Sequence, residues 1–473
     1  MRYALCVALL GAPGLSRTGD GVPAQTLVVG TNARVDVSQV AAIRRLHPTA
    51  IAVRLPREAD GLRAIGSTVT GIPLRPLVID ATVTVTAATG RTVLRWPIVV
   101  FAADLPVPVL PDSLRPYSDA RVTTPRHFLA DVTGSVLAED NSPRNNPVTD
   151  AGATLGRVLF YDTRLSGNDR MSCASCHRQE FGFADTARFS RGIGGGFTRR
   201  HVMALANARY YRYGRFFRDE RAATLEAQVL QPIADSGEMD LSLGDMERKL
   251  RVTPYYAQLF AAAFGTPKIT RERVALALAQ FVRSLVSTHA RLDVVFRGGG
   301  PADLSMLTPA EREGRALFNG SAGCSRCHRT NALELDLPDN IGLDSVPVDT
   351  GAVGGRFKVA SLRNVAVRPP YMHDGRFRTL DEVVAFYDSG INADPNLNPR
   401  LRAPDGSPQR LHLTAEQRAA IVAYLGTFTD STFLHDEGFS NPFDCTASHW
   451  PAPSHNVPGA LRRVRRLRPG VHC

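Results

Sequence analysis

Met171-Ser172-Cys173-Ala174-Ser175-Cys176-His177 places two cysteines with two residues between them and a histidine directly after the second. Cys324-Ser325-Arg326-Cys327-His328 repeats the arrangement later in the chain. Cys-x-x-Cys-His is the attachment signature of c-type haem. The two thiols add to the haem vinyl groups, and the adjacent imidazole reaches the iron from the proximal side. A lone Cys-x-x-Cys serves equally well as a redox dithiol or half of a zinc site. Two copies, each completed by histidine and each preceded by a helical pattern, point to two covalently bound haem c groups. Cys173, Cys176, Cys324 and Cys327 would hold them, with His177 and His328 as axial ligands. Bacteria attach such haem on the exported side, so a periplasmic or otherwise exported protein is expected.

The surroundings of the motifs support a duplication. Gly156-Arg157-Val158-Leu159-Phe160 before the first motif is echoed by Gly314-Arg315-Ala316-Leu317-Phe318 before the second. Helices are predicted over 151–161, 225–233, 271–286 and 380–387. The third has Val274, Ala277, Leu278, Phe281 and Leu285 along one face. Thr308-Pro309-Ala310-Glu311 and Thr414-Ala415-Glu416-Gln417 carry capping-box signatures of helix starts. The fold class expected is mainly α: two cytochrome c-type haem domains, N-terminal at 151–297 and C-terminal at 298–440.

Farther out the character changes. The β-branched alternation of Ile79 to Thr86, a turn at Ala88-Thr89-Gly90 and a return strand from Thr92 to Phe101 predict a hairpin. Residues 25–105 are read as a small all-β accessory domain. Leu55-Pro56, Gly61-Leu62, Gly71-Ile72-Pro73 and this strand pair resemble the cadherin-like immunoglobulin repeats of bacterial surface proteins. Pro, Asp, Ser and Asn enrichment marks 106–150 as a linker. Residues 1–24 read as a signal segment, with Arg2 before an apolar run and Val22-Pro23-Ala24 suited to cleavage. The net charge of +11 across 473 residues is partly local. Arg462, Arg463, Arg465, Arg466 and Arg468 crowd a basic tail at 441–473. No aromatic residue interleaves with them, so nucleic acid is not an expected partner. No apolar run approaches a membrane span, so an integral membrane protein is not expected. Cys445 and Cys473 could pair in an oxidising compartment; spacing alone does not decide it.

From about Gly152 to Thr429 the chain resembles the di-haem bacterial cytochrome c peroxidases and their relative MauG. Besides the first haem motif, the landmarks are Phe217-Arg218-Asp219-Glu220-Arg221-Ala222, Gln228-Val229-Leu230-Gln231-Pro232-Ile233 with Glu238-Met239, Ser361-Leu362-Arg363-Asn364-Val365, and Pro370-Tyr371-Met372-His373-Asp374-Gly375. The resemblance implies that the N-terminal haem reacts with hydrogen peroxide while the C-terminal haem passes electrons in. In peroxidases that need reductive activation, a distal His blocks the first haem. The matching loop, Arg191-Gly192-Ile193-Gly194-Gly195-Gly196, contains none. An open sixth position is therefore expected, with His201 as the rival ligand.

The resemblance also implies roles for distal residues. Glu238 takes the acid–base role in peroxide cleavage, and Gln228 is its polar partner. Tyr387 stands at the family's spacing for the distal ligand of the second haem, a Met in many peroxidases and a Tyr in MauG. Met372 is the alternative ligand. A phenolate donor would favour ferric and higher-valent iron. Two departures are visible. Arg218 occupies the inter-haem position where the family usually has Trp, and the only tryptophans, Trp96 and Trp450, lie outside the matching region. An Arg cannot relay an oxidising hole, but it could pair with a haem propionate. The family binds calcium between its domains through an Asn, and here that position is His201. Imidazole is a poor ligand for a hard cation, so calcium is only a candidate cofactor.

Three functions are consistent with these residues. The first is a di-haem peroxidase fed by a small redox protein, a cytochrome c or cupredoxin. The second is a MauG-like enzyme that uses peroxide to oxidise residues of a partner protein. The third is a non-enzymatic electron-transfer cytochrome. The donor, any protein substrate, the oligomeric state and the roles of the β domain and basic tail are not legible in the sequence.

Overall fold

The computed structural model of the chain describes residues 25–443, apart from 75, 102–106, 111–112, 120–121, 123–124, 130–134, 297–301 and 329–336. The expected signal segment, Cys6, Cys445, Cys473, Trp450 and the arginine-rich tail lie outside the described residues. Two compact units emerge. One takes residues up to Leu105 together with Arg248–Ile269, and the other takes the remainder.

Among the described residues, the first unit contains seven strands in two sheets. They are β1 (Gln25–Val28), β2 (Ala33–Asp36), β3 (Ala50–Arg54), β4 (Leu62–Ile65), β5 (Thr68–Gly71), β6 (Leu77–Ala87) and β7 (Gly90–Phe101). One sheet has the order β1-β7-β6-β3 and the other β2-β5-β4. The expected hairpin is β6–β7, antiparallel in register from Leu77 opposite Val100 to Ala87 opposite Gly90. Alternation sends Ile79, Ala81, Val83 and Val85 inward, where they meet Trp96, Ile98 and Val100. Trp96 is thus a core residue of this unit.

The second unit is helical and carries both cysteine motifs. The element α1 (Asp150–Tyr161) starts at Thr149, whose hydroxyl accepts from Gly152 N at 3.0 Å. It packs on α2 (Arg271–Ser284). A Cβ at Gly156 would lie 2.0 Å from the Ala277 carbonyl oxygen, so only glycine permits this approach. Phe160 meets Phe281 with ring centroids 5.2 Å apart. The same device recurs between α3 (Pro309–Asn319) and α5 (Ala415–Gly426). There a Cβ at Gly314 would lie 1.9 Å from the Ala420 carbonyl oxygen, and Phe318 meets Tyr424 at 5.4 Å. Both predicted capping boxes form, Thr308 with Glu311 and Thr414 with Gln417.

Three expectations need correction. The helix read over 225–233 is two short turns, Leu225–Gln228 and Gln231–Ala234, with Pro232 opening the second. The helix read over 380–387 is α-helical only as α4 (Leu380–Ala385) and continues as a π-turn over Phe386–Gly390. The described parts of 106–150 are packed rather than a free spacer. Phe128 and Val136 are buried, and Asp150 accepts from the backbone of Tyr117 and Ser118. Asn146 donates to Leu276 O and accepts from Gln280. Linker-like composition here supplies polar groups that satisfy helix ends and neighbouring side chains.

Candidate functional site

Each Cys-x-x-Cys-His folds into the same short turn. Cys173–Ser175 and Cys324–Arg326 are single 3-10 turns that follow the glycine-packed helices. His177 N donates to Cys173 O at 2.9 Å, and His328 N donates to Cys324 O at 3.0 Å. None of the four cysteines is in a disulfide. Burial pushes Cys173 and Cys324 up to about 12 and Cys176 up to about 11. They are therefore protonated at neutral pH and unlike the low-pKa cysteines of redox dithiols.

Around the first motif, His177 Nδ1 bonds the Phe183 carbonyl at 2.9 Å. With the proton on Nδ1, the lone pair falls on Nε2, as a metal-binding imidazole requires. Glu238 lies near enough to both thiols to raise their pKa values. Its own carboxyl is raised by burial and by the charge of Asp235, which Arg221 opposes. The loop Arg191–Gly196 abuts this residue. Ile193 N donates to Glu238 O at 2.9 Å, and a Cβ at Gly192 would lie 2.0 Å from Gly237 O. Glu238 and the cysteine pair are thus brought together. Gln228 ends its short turn half-buried and makes no side-chain hydrogen bond to Glu238 among the described residues.

Around the second motif, one cavity is lined by His328, Tyr387, Met372, Ile341, Leu343, Leu380 and Val383. Its volume is about 170 Å³. Both candidate ligands therefore share a wall with His328. Tyr387 lies in the π-turn, a feature frequent at functional sites. Burial raises its phenol, and the neighbouring Cys327 and Cys324 thiols add to the shift.

Arg218, His201, Lys358, Arg368 and His373 line the same cavity. Burial, with Arg368 and Arg200 alongside, pulls Arg218 down to about 9. Arg218 Nε donates to His201 O at 3.0 Å. His201 Nδ1 bonds Ala187 O at 3.0 Å, while its buried Nε2 has no hydrogen-bond partner. His201 is thus a wall of the His328 cavity. Burial and Arg218 lower it to about 4, so it is neutral at pH 7. His373 stacks on Phe357 at 3.8 Å.

Some contributors escaped the sequence reading. Arg200 bridges Asp349 and Asp219, each at 2.6 Å. Arg368 and Lys358 bring further positive charge to the cavity. Isolated basic residues in a chain this rich in arginine give no local signal. No helix among the described residues is long and apolar enough to cross a membrane.

Known proteins match this architecture. The family described as di-haem cytochrome c peroxidase matches residues 150–300. A methylamine utilization protein MauG of Methylorubrum extorquens is 34% identical, over 60% of this chain and 80% of its own length. A cytochrome c551 peroxidase of Nitrosomonas europaea is 32% identical, over 49% of this chain and 71% of its own. A crystal structure of a MauG-like protein associated with microbial copper homeostasis superposes with TM-score 0.57 at 32% identity. It covers 64% of this chain and 97% of that one. With a glycine-packed helix pair beside each Cys-x-x-Cys-His turn, and relatives that share more than half of its length, the chain belongs to the di-haem cytochrome c peroxidase and MauG family of oxidoreductases.

Proposed function

We propose that the chain reduces hydrogen peroxide at the site of His177 and receives electrons through the site of His328. The observation that carries this reading is Glu238: a half-buried carboxyl with a raised pKa, close to the Cys173 and Cys176 thiols. A carboxyl displaced toward neutral pH can both take and return a proton. Its role would be to move the peroxide proton from the near to the departing oxygen. The loop packed against it offers no histidine to block access. Gln228, in this reading, orients peroxide as a polar neighbour.

The residues fit covalent haem c at both sites. A cysteine pair stands at each site for thioether bonds, His177 Nδ1 is held by the Phe183 carbonyl, and His328 lines a cavity. When bound, haem supplies the redox chemistry that the side chains lack. Arg218, with Arg368 and Lys358, would pair with its carboxylates. Tyr387 is the proposed distal ligand at the second site, with Met372 the alternative. Calcium is left out of the proposal. The position expected to bind it is an imidazole facing Arg218 and Arg368, which repel a dication.

The finer domain reading is also proposed. Residues 25–105 form an immunoglobulin-like accessory sandwich for docking or spacing, and 151–297, apart from Arg248–Ile269, which groups with the first unit, and 298–440 are the two haem domains. Covalent haem implies export to the periplasm. The electron donor is a small cytochrome c or cupredoxin. A second reading, MauG-like oxidation of a partner protein, is favoured by Tyr387 on the cavity wall, because a phenolate ligand stabilises high-valent iron. Relatives named as peroxidases and MauG proteins speak against a non-enzymatic carrier.

The ferric protein should show a high-spin component that is lost on stoichiometric peroxide. Glu238→Gln should slow that reaction by about 10²–10⁴-fold. A wholly low-spin, unreactive protein, or an unchanged rate in the variant, would remove the proposal. Steady turnover with reduced cytochrome c separates the first reading from the second.

A further inference from the structure

One buried hydrogen-bonded pair has no part in the reading above. Tyr211 is 1% exposed, and its hydroxyl donates to the carboxylate of Glu220, which is 9% exposed. Glu220 has φ 54, an uncommon left-handed conformation for this residue type. It sits in a turn closed by pairing of Phe216 with Ala222.

That turn reaches both sites. Arg218, near its tip, lines the cavity that holds His328. Arg221, at its far side, acts electrostatically on Glu238. Tyr211 lies underneath. Its ring is 3.6 Å from Lys358 Nζ, and Lys358 lines the same cavity. On its other side the ring of Tyr213 is 5.9 Å away, and Tyr213 is 39% exposed. A short aromatic path therefore runs from the cavity wall to the surface.

We propose that Tyr211 is a redox relay between the haem sites and the protein surface, with Glu220 as its proton acceptor. The proposal rests on the peroxide-dependent oxidation argued above. In the step, Tyr211 loses one electron to the oxidised cofactor, its O–H bond breaks, and the proton forms an O–H bond on Glu220. The product is a neutral tyrosyl radical. Lys358 over the ring makes a ring cation costly, which couples electron loss to proton loss. An electron from a surface donor returns through Tyr213, and Glu220 gives the proton back. Two such turns, with two protons from solvent, reduce one hydrogen peroxide to two waters. Arg218 cannot substitute for this path, because a guanidinium is not oxidised under these conditions.

The test is electron paramagnetic resonance of the haem-loaded protein, frozen after stoichiometric peroxide and grown with ordinary or ring-deuterated tyrosine. A signal that narrows on deuteration is expected. Tyr211→Phe, which keeps the ring, should lower it about tenfold while the optical response to peroxide persists. Glu220→Gln should slow its appearance about tenfold or more. Hexachloroiridate(IV), a one-electron oxidant, should generate the same Tyr211-dependent signal without peroxide. A wild-type signal in Tyr211→Phe with either oxidant overturns the relay. Absence of any haem response to peroxide overturns the peroxidase reading instead, and the hexachloroiridate comparison still decides the relay.

Discussion

The two Cys-x-x-Cys-His regions share a frame and differ in what faces their histidines. In each, a glycine lets two helices meet at backbone distance, Gly156 on Ala277 and Gly314 on Ala420. In each, an aromatic four residues after the glycine locks the crossing, Phe160 on Phe281 and Phe318 on Tyr424. The facing sides diverge. Near the first motif stand a raised carboxyl, Glu238, and a glycine-rich loop. The second opens on a cavity with two potential donors, Tyr387 and Met372, and charged groups of both signs on its walls. The frame is thus a property of helix crossings, and the chemistry is a property of the loops after each motif. One unit can be duplicated and then given two tasks because these parts are separable.

The comparison can be broken most severely at the cysteines. Replacing Cys173 and Cys176 by Ala, or Cys324 and Cys327 by Ala, should each leave a single covalent haem per chain by the pyridine haemochrome assay. If either double variant kept both, the symmetry of attachment would be lost.

The next largest effect is expected at a buried ion pair in the second unit. Arg363 grips Asp293 with both terminal nitrogens, at 2.5 and 2.8 Å, and His127 bonds it at 2.9 Å. Burial pushes the Asp293 carboxyl up, but Arg363 and His127 outweigh it and hold the group at about 2, below its ordinary 3.8. A depressed carboxyl stabilises the fold above its unfolded pKa and loses that contribution as pH falls from 3.8 through about 2. Asp293→Asn should cost about 3–5 kcal/mol at neutral pH by denaturant melts. The gap from wild type should shrink in acid, and a pH-independent difference would refute the assignment.

Smaller still is the effect of crowding the crossings. Gly156→Ala and Gly314→Ala should each destabilise by about 1–3 kcal/mol, since the added methyl meets a carbonyl that cannot withdraw. Unequal costs would show that one crossing is looser than its twin. The finest distinction is spectroscopic. Tyr387→Phe should shift the low-spin bands without changing haem content, and Met372→Leu should not. The reverse result would transfer the ligand role to Met372.

Much of the frame is visible in local sequence. The haem motifs, the capping boxes at Thr308 and Thr414, the β6–β7 alternation and the repeated Gly-Arg-x-Leu-Phe all depend on neighbours in the chain. Period and capping are short-range physics, so they survive without a structure. The π-turn that carries Tyr387 does not announce itself. Nor does the break between Gln228 and Gln231, although Pro232 was there to suggest it.

The site was legible in part. Glu238 was named through the resemblance, and the structure puts it beside Cys173 and Cys176. His201 was weighed as a ligand for the first haem, yet it faces the cavity of His328. Arg218 is a visible departure in the sequence, but its companions Arg368 and Lys358 carry no local signal. These residues are far apart in the chain and meet only because loops fold over the two helix pairs.

The sequence by itself therefore determined how many haem attachment motifs this protein carries, where they stand and which helices frame them. Only the tertiary structure decided what each histidine faces, which cations share a cavity, and that Tyr211 is buried against Glu220. Those outcomes depend on contacts between distant segments and on the burial that shifts their charges, and no local pattern encodes them.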